Sequence, residues 1–459
     1  YMIMTAVSMP IWGRLCDLLG KRHLFVAAVV FFLFGSVLCG LSQNMTQLII
    51  FRGLQGIGAG GLSAVPFALI STVFPSYERG KALGVLASAW GISGIVGPLL
   101  GSLIVTSLHW RWVFYINLPI GATAITVIWR HYTEVAAHRK ERIDYPGALL
   151  LACAIIALLL TFLQVGRGSG VVSAGVGGPA IAFILFLGFF VVQERGAESP
   201  LLELAFFRRR AFWVGNLLGF TASFAMYGII AYMPLFTQSV QGGTAVQAGL
   251  VITPMSLAWS ASSVASGRLV SRIGENAMIR FGMVMTAIGF LLALFIRVDS
   301  SISYLILCVV SAGVGMGAQT PSLMLSVQHS LDQKNVGVAT STQMLARTIG
   351  GAVGVSLLGS ILTGSMGLSI QELAGAGTLD RFPEAAKALF GDPQKLLGLN
   401  IRPLLSRQDL TTVYSVFTDA LHTVFLTSLT IIVAGLAVSA ALPPSALHRI
   451  THTQEFRHE

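Results

Sequence analysis

Long apolar runs separated by short polar or turn-rich stretches occupy most of the chain. They read as thirteen segments, at 1–12, 24–42, 46–74, 82–107, 113–129, 146–164, 178–193, 212–236, 248–266, 279–296, 302–326, 337–364 and 413–442. About 20 helical residues, each rising 1.5 Å, cover a hydrocarbon core roughly 30 Å thick, and most runs approach or exceed that length. Several contain Gly or Pro, which membrane helices accept because neighbouring helices re-satisfy the backbone. The pattern predicts an all-α integral membrane protein. The first run covers only about 18 Å and the chain opens on Tyr1, so the expectation is a helix that begins upstream.

Composition narrows the class. Hydrophobic residues make up 54% of 459 positions and charged residues 10%, whereas a soluble domain carries about 25% charged residues. Water would not tolerate so much apolar surface on so few charges, which excludes a soluble protein. The formal net charge of +10 would suit nucleic acid or an acidic membrane surface, but the basic residues sit in short loops between apolar runs. One alternate set of loops holds 19 Lys and Arg, the other holds eight, and Arg52 and Arg347 fall inside apolar runs. By the positive-inside rule the richer set is cytoplasmic, which puts Tyr1 outside and the C-terminal tail in the cytoplasm. A chain starting in the cytoplasm then needs an odd number of further spans upstream, and one gives fourteen. No nucleic-acid partner is expected. Cys16, Cys39, Cys153 and Cys308 lack metal-ligand spacing, so neither a zinc site nor a disulfide framework is expected.

The chain repeats itself. Gly13-Arg14-Leu15 with Gly20 matches Gly267-Arg268-Leu269 with Gly274 at an offset of 254. Gly56-Ile57-Gly58-Ala59-Gly60 matches Gly313-Val314-Gly315-Met316-Gly317 at 257, and Gly94-Ile95-Val96-Gly97 matches Gly351-Ala352-Val353-Gly354 at 257. Three matches in order at nearly one offset predict a parallel duplication, as in some secondary transporters. The plan is two pseudo-symmetric six-helix bundles plus an inserted helix pair. Residues 1–130 form a bundle lacking its first helix, 131–211 the inserted pair with cytoplasmic linkers, and 212–459 the second bundle. The second bundle carries an extracytoplasmic loop at 365–412, with Glu372, Asp380, Glu384, Asp392 and Asp409, and a cytoplasmic tail. His448, His452 and His458 in that tail have no fixed geometry for a metal.

Gly13, Arg14, Asp17, Gly20, Lys21 and Arg22 fall at a cytoplasmic turn. Glycine permits the tight turn, and an acid among bases at a helix end is placed to hold a neighbouring helix by its positive N-terminus. An ordinary charged loop is the alternative. The segment resembles motif A of the major facilitator superfamily, G-x-x-x-D-x-x-G-[RK]-[RK]. Arg52-Gly53-Leu54-Gln55-Gly56-Ile57-Gly58-Ala59-Gly60 is similar to motif B, and Gly91, Gly94, Gly97-Pro98 and Gly101 to motif C, the antiporter signature. Trp112 to Gly121 and the Asp144-Tyr145-Pro146-Gly147 entry to the inserted pair resemble the 14-helix drug:proton antiporter branch. Two departures stand out: Ser102 follows Gly101 where a second glycine is usual, and Leu18 replaces an arginine that often follows the motif A aspartate.

The resemblance implies a proton-coupled antiporter that exports small molecules by alternating access, with Asp17 in a gating loop, Arg52, Gln55 and Gly56 in proton coupling, and Gly94, Gly97, Pro98 and Gly101 in the antiporter motif. A purely structural arginine is the other reading of Arg52. Gly97-Pro98 is expected to kink its helix. No Asp or Glu lies near the middle of a segment, so the main proton carrier is expected upstream, where the family often places an aspartate.

Met226, Tyr227, Tyr232, Trp259, Gln319, Gln343 and Arg347 are candidates for lining a central cavity, since aromatic and methionine walls suit lipophilic and cationic ligands. Packing and lipid contact are the alternatives. Gly56 to Gly61 lies in an apolar helix with no strand before it, and no G-x-x-x-x-G-K-[ST] occurs, so neither ATP nor another cofactor is expected, only the proton gradient. No nucleophile–base pair suggests an enzyme. The expected partners are a small-molecule substrate, membrane lipid and protons, for a monomer in a bacterial plasma or inner membrane. Multidrug efflux is the first expectation. Export of one endogenous metabolite or lipid comes next, then a non-transporting receptor.

Overall fold

A computed structural model describes residues 1–133, 144–166, 173–375 and 405–444. Asp380, Glu384 and Asp392 of the long loop and the three tail histidines lie outside them. The helices are α1 (Met2–Leu19), α2 (Lys21–Leu41), α3 (Met45–Val73), α4 (Ser76–Ser107), α5 (Trp112–Tyr115), α6 (Asn117–His131), α7 (Tyr145–Gly166), α8 (Ala174–Gly196), α9 (Arg210–Ser239), α10 (Ala245–Ile273), α11 (Glu275–Ala293), α12 (Ile302–His329), α13 (Val336–Gly375) and α14 (Arg407–Val438). Among the described residues there is no strand, and thirteen helical stretches are long and apolar enough to cross a membrane, with α5 and α6 together forming one. Large apolar side chains such as Phe34, Ile184, Phe189 and Val192 are exposed on the outside of the bundle, which is the surface a lipid solvent selects.

The ends follow ordinary helix chemistry. Gly20 and Gly274 separate α1 from α2 and α10 from α11, at φ 95° and 90°, a region that disfavours any residue with a Cβ. The basic loops gather at this end, called the basic end here. Helices that begin at the opposite end carry side-chain caps: Asn44 accepts from Gln47 N–H, Ser301 from Tyr304, Ser406 from Asp409, and Thr244 forms a capping box with Gln247. Each satisfies backbone donors that the first helical turn leaves without partners.

Two expected boundaries shift. The first apolar run was expected to end near Trp12, with Gly13 to Arg22 forming a turn; instead α1 continues through Arg14 and Asp17, and only Gly20 breaks it. Charge ends a hydropathy run without ending a helix when the charged side chains find partners. Likewise α13 extends to Gly375, well into the expected 365–412 loop.

The duplication is visible contact by contact. A Cβ on Gly58 of α3 would collide with Ala28 O and Phe32 N of α2, and one on Gly315 of α12 with Gly282 O and Thr286 N of α11. Gly60 meets Thr5 and Ser8 of α1, while Gly317 meets Trp259 and Ser262 of α10. The glycines are displaced by 257 and their partners by 254, the two offsets of the repeat. The halves also meet through repeat-related pairs: Gly80 and Gly84 of α4 against Gly267 of α10, and Gly337 and Ser341 of α13 against Gly13 of α1. Small residues let backbones approach closely, the main source of helix association in lipid.

The inserted pair α7–α8 lies against the seam. Ile155 and Leu159 of α7 pack with Ala6 and Val7 of α1, and with Leu345 and Ala352 of α13. Gly315→Val forces a side chain into the backbone of α11, at a cost of about 1–3 kcal/mol for overpacking. Its expected result is a melting temperature several degrees lower, read by fluorescence-detected size exclusion. Gly188→Val on α8, where a Cβ meets nothing within 4 Å, is expected to leave it unchanged.

Candidate functional site

A cavity of about 300 Å³ lies between the halves. The first half contributes Met9 of α1, Ser63 of α3 and Trp90, Gly91 and Gly94 of α4. From the second come Met226 and Tyr227 of α9, Met255 and Trp259 of α10, Thr320 of α12, and Met344 and Arg347 of α13. The walls are sulfur, aromatic ring and hydroxyl, a set that repacks around varied ligands. Arg347 is the one charged residue among those lining the cavity.

Toward the basic end the cavity is shut. Phe67, Leu83, Val270, Met324 and Leu325, with Met9 and Met344 of the cavity wall, form an apolar plug drawn from both halves. Beyond it is a polar layer. Gly337 N–H and Val338 N–H donate to the two carboxylate oxygens of Asp17 at 2.8 and 2.9 Å, so the acid of α1 receives the N-terminus of α13. Gln328 donates to Phe67 O (3.1 Å) and Thr340 Oγ1 (2.9 Å), Gln333 donates to Ser71 O (2.7 Å), and Arg79 donates to Gln333 Oε1 (3.3 Å). At the other end α4 and α10 part: Gly91 is in close contact with Ser256 and Ser260, whereas Gly97 and Gly101 meet nothing within 4 Å. One central cavity between two repeats, closed at one end and open at the other, is the arrangement of a transporter held in one of two access states.

The Major Facilitator Superfamily model matches residues 1–355. The chain belongs to this superfamily. It is 33% identical to multidrug resistance protein 3 of Bacillus subtilis over 94% of this chain and 84% of that protein. It is also 32% identical to the multidrug transporter protein MdtP of the same organism, over 97% and 85%. Against the multidrug resistance protein Stp of Mycobacterium tuberculosis the identity is 31%, over 81% and 69%. A crystal structure of the human organic anion transporter MFSD10 superposes with a TM-score of 0.61 at 16% identity, covering 94% of this chain and 81% of that one, a likeness of fold. Family and helices together make this a multi-pass membrane protein with a transporter's architecture.

Within the superfamily frame, the residues singled out from sequence divide into three places. Asp17 and Gly13 are at the seam between the halves, but Arg22 is not: it stacks on Trp129 of α6 at 4.3 Å and donates to that residue's carbonyl, inside the first half. Lys21 is buried in the first turn of α2. Arg52 lies outside the cavity lining, donating to Gln55 Oε1 at 2.7 Å and covering the Tyr1 ring at 4.0 Å. Gln55 is buried and passes the chain on to Ser36 Oγ at 2.5 Å. Gly56 packs under the Tyr1 carbonyl. The antiporter segment stays helical through Gly97 and Pro98 in a continuous α4, with Gly94 on the cavity and Gly101 open.

Of the seven expected cavity residues, Met226, Tyr227, Trp259 and Arg347 line it, while Tyr232, Gln319 and Gln343 do not. Gln319 donates to Thr286 Oγ1 (3.4 Å) and Met316 Sδ (3.1 Å), facing α11, and Gln343 packs at Gly219 of α9. Their chain neighbours Thr320 and Met344 are the ones on the cavity, since one residue turns a helix by about 100°. Tyr232, five residues past Tyr227, donates instead to Val355 O at 3.2 Å. Gln328, Gln333 and Arg79, which close the basic end, were missed. A glutamine at a helix end carries no signal until its partner across the seam is known.

Removing the charge of Asp17 weakens its hold on the N-terminus of α13 by about 1 kcal/mol or more. In a background without native cysteines, Ser341→Cys reports the buried seam. Asp17→Asn is expected to raise its labelling rate by a soluble maleimide several-fold. An unchanged rate would mean that this bond does not keep the basic end shut.

Proposed function

We propose that the protein exports small lipophilic molecules in exchange for protons by alternating access, and that the structure is its outward-facing state. The observation that carries this is the cavity between pseudo-symmetric halves, plugged at the basic end and splayed where α4 leaves α10. Reading the basic loops as cytoplasmic makes the open mouth extracytoplasmic and places the tail inside the cell. The relatives named as multidrug transporters supply the substrate class. The bacterial inner membrane is the proposed setting, and the monomer, which encloses the whole cavity, the proposed unit.

The proton gradient is the energy source, with no cofactor. Each proton crossing supplies about 2.3 kcal/mol per 100 mV before any pH contribution. That exceeds the roughly 1.4 kcal/mol needed for each tenfold of substrate accumulation. Arg52 is a half-buried charge whose partners are a glutamine and aromatic faces, so it is available to hold a nearby carboxylate in its ionised form until protonation releases it.

The test is efflux of a lipophilic dye from pump-deficient bacteria making the full-length protein. Export is expected to collapse with a protonophore and to fall at least ten-fold with Arg52→Ala at equal membrane abundance. Efflux that persists without a gradient would sink proton coupling. No efflux of any of a broad panel, from folded protein, would shift the reading to a narrow-specificity exporter of an endogenous metabolite or lipid.

A further inference from the structure

Among the described residues that line the central cavity there is one cation, Arg347, and no acid. Arg347 sits in the first third of α13, half-buried, and lines the cavity with Tyr227, Trp90 and Trp259. Among the described residues no hydrogen bond or ion pair holds its guanidinium, and no Asp or Glu lines the cavity. Its alkyl stem is fixed near Gly219, where Cγ would be 3.3 Å from a built Cβ, so the side chain is packed at its base and unpaired at its head. The indole N–H of Trp259 is buried without an acceptor, a second lining donor in the same condition. A guanidinium offers five donors and no acceptor, and a charge inside a membrane bundle ordinarily faces a partner or a cavity where a partner arrives.

The aromatic and methionine walls, read alone, suit cations as well as neutral molecules. The charge decides between them. A ligand cation entering this cavity meets a like charge at close range in a low-dielectric space, whereas an anion gains a charge-assisted, bidentate hydrogen bond.

We propose that the cavity takes amphiphilic organic anions, an aromatic or aliphatic body bearing one carboxylate, sulfonate or phosphate, with the anionic group on Arg347 and the body among Trp90, Tyr227, Trp259 and the methionines. This deepens the export reading and rests on it for the word substrate. The site itself is a binding claim and stands apart from flux.

The test is equilibrium binding to the purified full-length protein in lipid nanodiscs with two probes of matched body and opposite charge, pyrenebutyrate and its trimethylammonium analogue, read by energy transfer from tryptophan. Wild type is expected to bind the carboxylate about ten-fold more tightly than the ammonium, in keeping with the strength of a hydrogen bond to a charged group. Arg347→Gln should remove most of that preference, and Arg347→Lys should keep part of it. Equal or tighter binding of the ammonium by wild type overturns the proposal without any variant, and would mean that an acid outside the described residues neutralises Arg347. Unchanged carboxylate affinity in R347Q overturns it too. A carboxylate that binds through Arg347 but is never exported counts against the export reading and leaves this site standing. An exported ammonium dye with no carboxylate binding does the reverse.

Discussion

Close backbone-to-backbone contact at glycine is what the rest of this structure depends on. Lipid offers helices no hydrophobic reward for associating, so the bundle is held by van der Waals packing at short range and by hydrogen bonds that short range makes possible. Gly58, Gly60, Gly313, Gly315 and Gly317 bring helices together within each half, and Gly13, Gly80, Gly84, Gly267 and Gly337 bring the halves together. The first group interlocks backbone with backbone within each half. The second group is concentrated toward the basic end, so the halves separate toward the other end without disturbing their interiors.

Pseudo-symmetry explains the packing, and its breaches explain the direction of closure. Position 271, the repeat partner of Asp17, is a serine whose hydroxyl donates to Arg268 O within its own helix. Of the two equivalent seams, the one between α1 and α13 therefore has an acid of the facing helix at a helix N-terminus. The contact is strong because two free N–H groups and the positive end of α13 converge on it. The glutamines on the opposite side of the basic end, Gln328 and Gln333, bond to backbone carbonyls of α3. The closed end is thus held by directional hydrogen bonds over a plug of apolar side chains.

Much of this was legible in the sequence, and the limits have physical causes. The thirteen spans among the described residues follow from apolar runs of helix-spanning length, and the duplication and the role of Asp17 as a ligand for a helix end follow from patterns a few residues long. The ends of α1 and α13 did not, because hydropathy registers Arg14 and Asp17 as polar whether or not they are paired. The cavity was half legible. Met226, Tyr227, Trp259 and Arg347 were found, but Gln319 and Gln343 were assigned to it although each lies about 100° around its helix from the residue that faces it. Side-chain type suggests a lining residue, and helical phase decides it. Phase is fixed by which neighbour each glycine face admits, and the sequence does not print that.

The inserted pair is tied to the two halves through its polar ends. Asp144 accepts from Gly147 N–H and from the Gln193 side chain, and Glu194 accepts from Leu201 and Leu202 N–H. These bonds tie the entry of α7 to the end of α8 and to the linker beyond it. Arg14 then donates to Ser199 in that linker at 3.1 Å. Arg14 and Asp17 stand three residues apart on α1 and so share a face, one reaching the inserted pair and the other α13. The last turns of α1 thus contact both the linker after the inserted pair and the N-terminus of α13. Because α7 also packs on α1 and α13 together, the seam cannot widen along its length without repacking against α7. The helix pair that a minimal two-repeat bundle does not need thus packs across both sides of the seam.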